Sequence, residues 1–168
     1  MTSEGVLPEF THADLVRAAV KWLLNHKGCL LAVSELSSMT SETPDAMGWQ
    51  GNGASFLVEC KASRADFRAD FKKPYRDEQF AELHLGEERY YLVPAKLVSP
   101  EEVPDKWGLL WAYKGMVKVK KDPVRIPLGA GYTKERRMLI SIAARTRRAL
   151  QLVKNIEIPE GQEDAWKQ

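Results

Sequence analysis

Two short apolar runs, Asp45–Trp49 and Ser55–Lys61, flank Gln50-Gly51-Asn52-Gly53-Ala54, a segment with the glycines and asparagine of a hairpin turn. A symmetric loop sets Trp49 opposite Ser55, Met47 opposite Leu57, and Asp45 opposite Glu59. Residues two apart share a sheet face, so Glu59 and Lys61 point the same way. The register therefore gathers Asp45, Glu59 and Lys61 on one side of a twisted sheet. Directly opposed side chains have Cβ atoms roughly 5 Å apart, where like charges destabilise each other. A metal cation between the two carboxylates would reverse that penalty.

The flanking segments supply the rest of an α/β pattern. Thr11 with Asp14 reads as a capping box. Val16, Ala19, Val20, Leu23 and Leu24 then follow at helical spacing up to Gly28, which predicts a helix over about 12–26. Cys29–Leu36 reads as a strand and 37–44 as a polar loop. Ser63 with Asp66 is a second capping box, opening a helix that must end near Pro74. A short helix is expected over Glu78–Leu85. Strands are expected at Tyr90–Val93, Leu109–Tyr113 and Met116–Lys120, with Lys114-Gly115 turning between the last two. Lys134–Lys154 is a long helix with Leu139, Ile142, Ala143, Leu150 and Val153 on one side and Arg137 and Arg148 opposite. The expected architecture is a mixed central sheet with helices covering its faces, in a single domain over 1–158 with a polar tail at 159–168.

Composition narrows the class of function. The 168 residues are 44% hydrophobic and 29% charged, a soluble globular balance. No apolar stretch nears the roughly 20 residues of a spanning helix, and the N-terminus lacks the pattern of a signal peptide. A cytoplasmic protein with no membrane partner is expected. Cys29 and Cys60 both sit in apolar runs and read as buried free thiols. No spacing suggests structural zinc. The net charge of +2 names no partner, but its distribution is uneven. Asp77–Asp105 is mostly acidic, whereas Lys134–Lys154 carries Arg136, Arg137, Arg145, Arg147 and Arg148 against Glu135 alone.

Magnesium suits the hairpin constellation. It prefers hard oxygen ligands, often one or two carboxylates, and keeps waters that a substrate phosphate can replace. Lys61 beside it could orient an attacking water or neutralise charge in the transition state.

At these residues the chain resembles a known family. Pro44-Asp45 followed by Glu59-Cys60-Lys61 on the next strand is similar to the PD-(D/E)XK nuclease signature, and the element order over about 12–120 resembles that fold. The run Glu59-Cys-Lys-Ala-Ser-Arg-Ala-Asp-Phe-Arg-Ala-Asp-Phe-Lys72 looks like the MmcB-like DNA-repair branch. The resemblance implies a restriction-endonuclease-like core and a nuclease of DNA repair, recombination or processing that depends on Mg2+ (or Mn2+). Asp45, Glu59 and the Cys60 backbone carbonyl would be metal ligands, and Lys61 the catalytic lysine. Some members add an acidic residue from the first helix. Here that helix offers only Asp14, committed to its cap, so Glu35 is the weaker candidate. Gln79 resembles a glutamine that some relatives place near the site.

DNA is the expected partner, with Arg137 and Arg148 touching phosphates and Lys118, Lys120 and Lys121 extending that surface. Ser63 could reach a phosphate, although the capping box alone accounts for it. Many small nucleases use two sites to cut two strands, so a homodimer is compatible. Asp70 and Lys72 read as solvent-facing, and His12, His26 and His84 as surface or capping residues. Of Tyr90 and Tyr91, one is expected in the core and the other exposed. Two other functions compete. One is a non-catalytic nucleic-acid-binding module on the same fold, which needs no ion at the Asp45–Glu59 pair. The other is a protein-interaction subunit with an exposed patch at Trp107 and Trp111. Separately, Glu59 and Lys61 could form a solvated strand face whose charges merely pair.

Overall fold

The computed structural model describes residues 9–35, 43–70, 84–129 and 131–153. The chain divides into two units, one ending at Lys134 and the other beginning at Glu135. The first unit holds α1 (His12–Asn25), β1 (Leu31–Ser34), β2 (Ala46–Trp49), β3 (Ser55–Cys60), α2 (Arg64–Asp70), β4 (Glu88–Pro94), β5 (Gly108–Tyr113) and β6 (Met116–Lys121), with a short 3-10 turn at Pro100–Glu102. The helix α3 (Gly131–Val153) runs from the end of this unit into the second. The protein is α/β, as its sequence pattern indicates. The tail at 159–168 and most of the helix expected over Glu78–Leu85 lie outside the described residues. His84 and Leu85 themselves are not helical.

The six strands follow chain order across one sheet, β1-β2-β3-β4-β5-β6. The pairs β1–β2, β2–β3 and β5–β6 are antiparallel, while β3–β4 and β4–β5 are parallel. The sheet is therefore mixed, with its parallel strands in the middle. Its central hairpin has the register expected from the loop: Trp49 pairs with Ser55 and Met47 with Leu57. The turn closes through Gln50 N–H to the Ala54 carbonyl at 2.9 Å, and the Asn52 side chain accepts the Ala54 N–H at 3.0 Å. Gly53 takes φ +88°, a backbone region that L side chains rarely adopt.

Helix α1 begins with the predicted capping box, Asp14 N–H on the Thr11 hydroxyl at 3.1 Å and Thr11 N–H on the Asp14 carboxylate at 3.0 Å. Its spacing buries Leu15, Val16, Ala19, Trp22 and Leu23 in one cluster with Phe56, Val58, Cys60, Tyr90, Leu92, Leu110 and Ala112. Each large apolar side chain buried in this way contributes about 1.5–3 kcal/mol. These strand residues alternate, so they define one face of the sheet.

The other face carries Met47, Leu57, Glu59, Tyr91 and Leu109, and all of these are buried as well. Tyr90 and Tyr91 are accordingly both in the interior, at 1% and 0% exposure, where alternation led us to expect one outside. A strand covered on both faces has no solvent side for either ring. Tyr91 packs edge-on against Phe67 of α2 and stacks on Trp107, with centroids 5.1 and 4.4 Å away. Trp107 is thus interior, and Trp111 is half-buried with its indole N–H on the Val98 carbonyl at 2.9 Å. The exposed tryptophan patch does not exist. Cys29 and Cys60 are buried free thiols. No helix among the described residues is long and apolar enough to cross a membrane.

Candidate active site

Asp45 lies one residue before β2, where the ladder with β3 runs out. Its Oδ2 accepts the Cys60 backbone N–H at 2.7 Å, so a side chain closes the last rung in place of a carbonyl. On the other side of β3, Lys61 N–H donates to the Leu92 carbonyl of β4 at 3.0 Å. In a planar trans peptide the Cys60 carbonyl must point opposite to that N–H, toward the Asp45 side. Asp45 and the Cys60 carbonyl therefore share one edge of β3. Glu59 follows the Ala46–Val58 pair in the antiparallel register, and Lys61 stands two residues further on the same face.

The three side chains come together. The Lys61 ammonium is 2.9 Å from Glu59 Oε2 and 3.8 Å from Asp45 Oδ2. The strand face is not solvated: Glu59 is 3% exposed and Lys61 8%. Burial first, and then the Glu59 charge, hold the Asp45 carboxyl above its ordinary range, although the Cys60 N–H, Lys61 and His12 pull the other way. Burial works against the Lys61 ammonium, but Glu59, Asp70 and Asp45 outweigh it and raise its pKa. The Cys60 thiol is pushed well above its usual value, by burial most of all.

Two residues that had read as surface belong to this cluster. Asp70 is 1% exposed, and its Oδ1 lies 3.2 Å from the Lys61 ammonium. Its position corrects the solvent-facing assignment: Phe67 and Asp70, three apart in α2, form the buried side of that helix. The other Asp70 oxygen accepts the Tyr91 hydroxyl at 2.6 Å. His12, half-exposed at the start of α1, places Nε2 3.4 Å from Asp45 Oδ1 and 4.0 Å from Glu35 Oε1. Glu35 touches Asp45 through the backbone, its N–H on the Asp45 carbonyl at 3.1 Å, while its carboxylate is largely exposed. Glu35 also takes φ +46°, the left-handed region, which is uncommon for a residue with a side chain.

The remaining candidates have surroundings of their own. Ser63 stands just before α2, its hydroxyl donating to the Asp66 carboxylate at 2.8 Å and accepting the Asp66 N–H at 3.1 Å. Arg137 and Arg148 are exposed on α3. On β6, Lys118 and Lys120 are exposed and lie over the Tyr113 and Trp111 rings, whereas Lys121 donates to the Val103 carbonyl at 2.7 Å. Lys72 and Gln79 lie outside the described residues.

The donor chemistry of the pair fits a hard divalent cation. All its atoms are oxygen, and burial next to Glu59 leaves the Asp45 charge poorly compensated. Among the described residues no group of three or more His, Cys, Asp or Glu side chains is arranged to hold a metal ion. The carboxylates beside Lys61 at the end of the β2–β3 ladder are Asp45 and Glu59, while Glu35 meets Asp45 through its backbone N–H and keeps its carboxylate largely exposed.

No protein-family model matches the chain, and no curated protein does. Among solved structures it is similar to the SPO1766 protein of unknown function from Silicibacter pomeroyi, with a TM-score of 0.63 and 23% identity over 86% of this chain and 94% of that one. The likeness is one of fold. It extends over nearly the whole of both chains and leaves the chemistry to the side chains.

Proposed function

We propose that this protein is a metal-dependent nuclease that hydrolyses phosphodiester bonds in DNA. The observation that carries the reading is the convergence of Asp45, Glu59 and Lys61 on one buried sheet face, with the ammonium 2.9 Å from one carboxylate and 3.8 Å from the other. The fold and the Pro44-Asp45…Glu59-Cys60-Lys61 order agree with a restriction-endonuclease-like core. On this reading the protein works on DNA in the cytoplasm, in repair, recombination or processing.

Asp45, Glu59 and the Cys60 carbonyl would hold Mg2+ or Mn2+, which when bound would polarise the phosphoryl group and acidify a water. The chain's own part is orientation and charge. The Cys60 N–H fixes the Asp45 carboxylate against β3, so its other oxygen, 3.4 Å from His12 Nε2, has a set direction. Lys61 carries three N–H donors and can hold an attacking water while offsetting charge that builds on the phosphate oxygens. Because the site lies in a largely dry sheet face, that electrostatic contribution is stronger than in water. Exposed Arg137 and Arg148 on α3 would meet the phosphate backbone.

The test is cleavage of supercoiled and branched DNA with Mg2+ or Mn2+ by the wild type, Asp45→Asn, Glu59→Gln and Lys61→Ala. We expect nicking by the wild type and loss of at least about 100-fold in each variant, as for removal of a transition-state donor. A folded wild type that cuts no DNA form overturns the enzyme. Salt-dependent DNA binding that survives these three substitutions but weakens in Arg137→Glu or Arg148→Glu would instead support the binding module.

A further inference from the structure

We propose that Asp70 and Tyr91 are positioning residues that hold the Lys61 ammonium in place when Asp45 and Glu59 are engaged elsewhere; this rests on the nuclease reading of the site. Three carboxylates surround this ammonium: Glu59 at 2.9 Å, Asp70 at 3.2 Å and Asp45 at 3.8 Å. They are not equivalent. Asp45 and Glu59 lie at the end of the β2–β3 ladder, where a divalent cation and a phosphate would draw on their oxygens. A lysine held only by those two would be released at the moment it is needed. Its four-carbon stem is flexible and its position must be fixed from somewhere.

Asp70 supplies that fixed point from a separate element. It belongs to α2, its side chain is 0% exposed, and its second oxygen accepts the Tyr91 hydroxyl at 2.6 Å. Tyr91 is itself immobilised. It pairs with Glu59 in the parallel β3–β4 register, and its ring is packed by Phe67 and Trp107. The Lys61–Asp70–Tyr91 chain therefore ties the ammonium to two elements, α2 and β4, neither of which carries a proposed metal ligand. Asp70 draws the ammonium by charge at 3.2 Å, while the Lys61 N–H groups face Glu59 and Asp45, where substrate and water would lie.

The experiment compares wild type, Asp70→Asn and Tyr91→Phe with Lys61→Ala in three readouts. The first is the 15N resonance of the Lys61 ammonium in the ion-free protein, assigned by its absence in Lys61→Ala. A slowly exchanging, ordered signal is expected in the wild type, and its broadening or shift in Asp70→Asn. The second is the Mg2+ affinity from thermal shift, expected to stay within about twofold, because Asp70 is not a ligand. The third is steady-state cleavage, where kcat should fall about 10- to 100-fold, the usual range for a supporting partner, with KM little changed. Tyr91→Phe keeps the carboxylate and should show a smaller change of the same kind.

An unaltered Lys61 resonance in both variants overturns the inference. So does a Mg2+ affinity that collapses in Asp70→Asn, which would make Asp70 a ligand, or unchanged kcat in two folded variants. Failure of the nuclease reading looks different: the wild type neither cleaves nor binds Mg2+, while the resonance still reports whether Asp70 holds the lysine. Should Asp70→Asn not fold, Tyr91→Phe decides the question by the same resonance and kcat.

Discussion

The Asp45 carboxylate and the Cys60 backbone N–H meet at 2.7 Å, so one side chain both ends a β-ladder and faces the candidate catalytic centre. The two duties can be separated. Asparagine keeps the acceptor and removes the charge, whereas alanine removes both. Burial and Glu59 raise the Asp45 pKa above its unfolded value, so its ionisation opposes folding: the stability is present at low pH and is lost as pH rises through the folded pKa. At neutral pH without divalent ions, Asp45→Asn should therefore melt no lower than the wild type. Asp45→Ala should lose about 1–3 kcal/mol from the orphaned N–H, a fall of about 2–4 °C per kcal/mol at this size. Melting curves at pH 7 with a chelator check the order, and equal destabilisation by both variants would contradict it.

A divalent cation should stabilise the fold through Asp45 and Glu59. At ten times its dissociation constant Mg2+ should add about 1.4 kcal/mol, or roughly 3–5 °C in Tm. The shift should vanish in Asp45→Asn and Glu59→Gln and persist in Arg137→Glu. Thermal scans against Mg2+ and Mn2+ measure it directly. A shift of equal size in all four proteins would place the ion elsewhere.

Lys61 offsets charge that the fold would otherwise leave uncompensated. Lys61→Met keeps the stem but leaves Glu59, Asp70 and Asp45 without their shared cation. Removing one partner of a buried ionic group costs about 3–5 kcal/mol. Adding Asp70→Asn to Lys61→Met should recover part of this loss, because one fewer buried charge is left unpaired. Urea denaturation of the two single variants and the double variant gives the coupling. Strict additivity would show that Lys61 and Asp70 do not interact.

How far the sequence reveals the site depends on which contacts are local. The Asp45–Glu59–Lys61 grouping was readable because a five-residue loop and a period of two fix an antiparallel register without outside information. The Thr11–Asp14 capping box and the Ser63–Asp66 hydrogen bonds were readable for the same reason. Asp70 was not, because its burial depends on Tyr91, and Tyr91 reaches Glu59 through a parallel pairing set by a crossover rather than a turn. The Phe67–Asp70 spacing was the available signal, although a charged residue on a short helix normally faces water. His12 was missed because α1 and β2 meet only in three dimensions. Its place in the Thr11 capping segment gave no sign of Asp45.

Alkaline pH should weaken the fold in a way that traces to its buried thiols and to Lys61. Burial pushes the Cys29 thiol from 9.0 up to about 11, and Cys60 is raised in the same direction. The Lys61 pKa is also raised above 10.5. In each case the unfolded chain gives up its proton first, so the native state holds more protons and stability declines as pH rises. For Cys29 the decline begins near pH 9 and is complete near pH 11. It amounts to on the order of 1 kcal/mol once solvent screening is allowed for. Lys61 adds its share above about pH 10.5, where the ammonium of the unfolded chain titrates. Unfolding free energies from urea titrations at pH 8, 9.5 and 10.5 should fall along this series, and Cys29→Ala should flatten the first part of the decline. A wild-type stability constant across that range would mean that neither thiol is as buried as its surroundings in the α1–β3 core require.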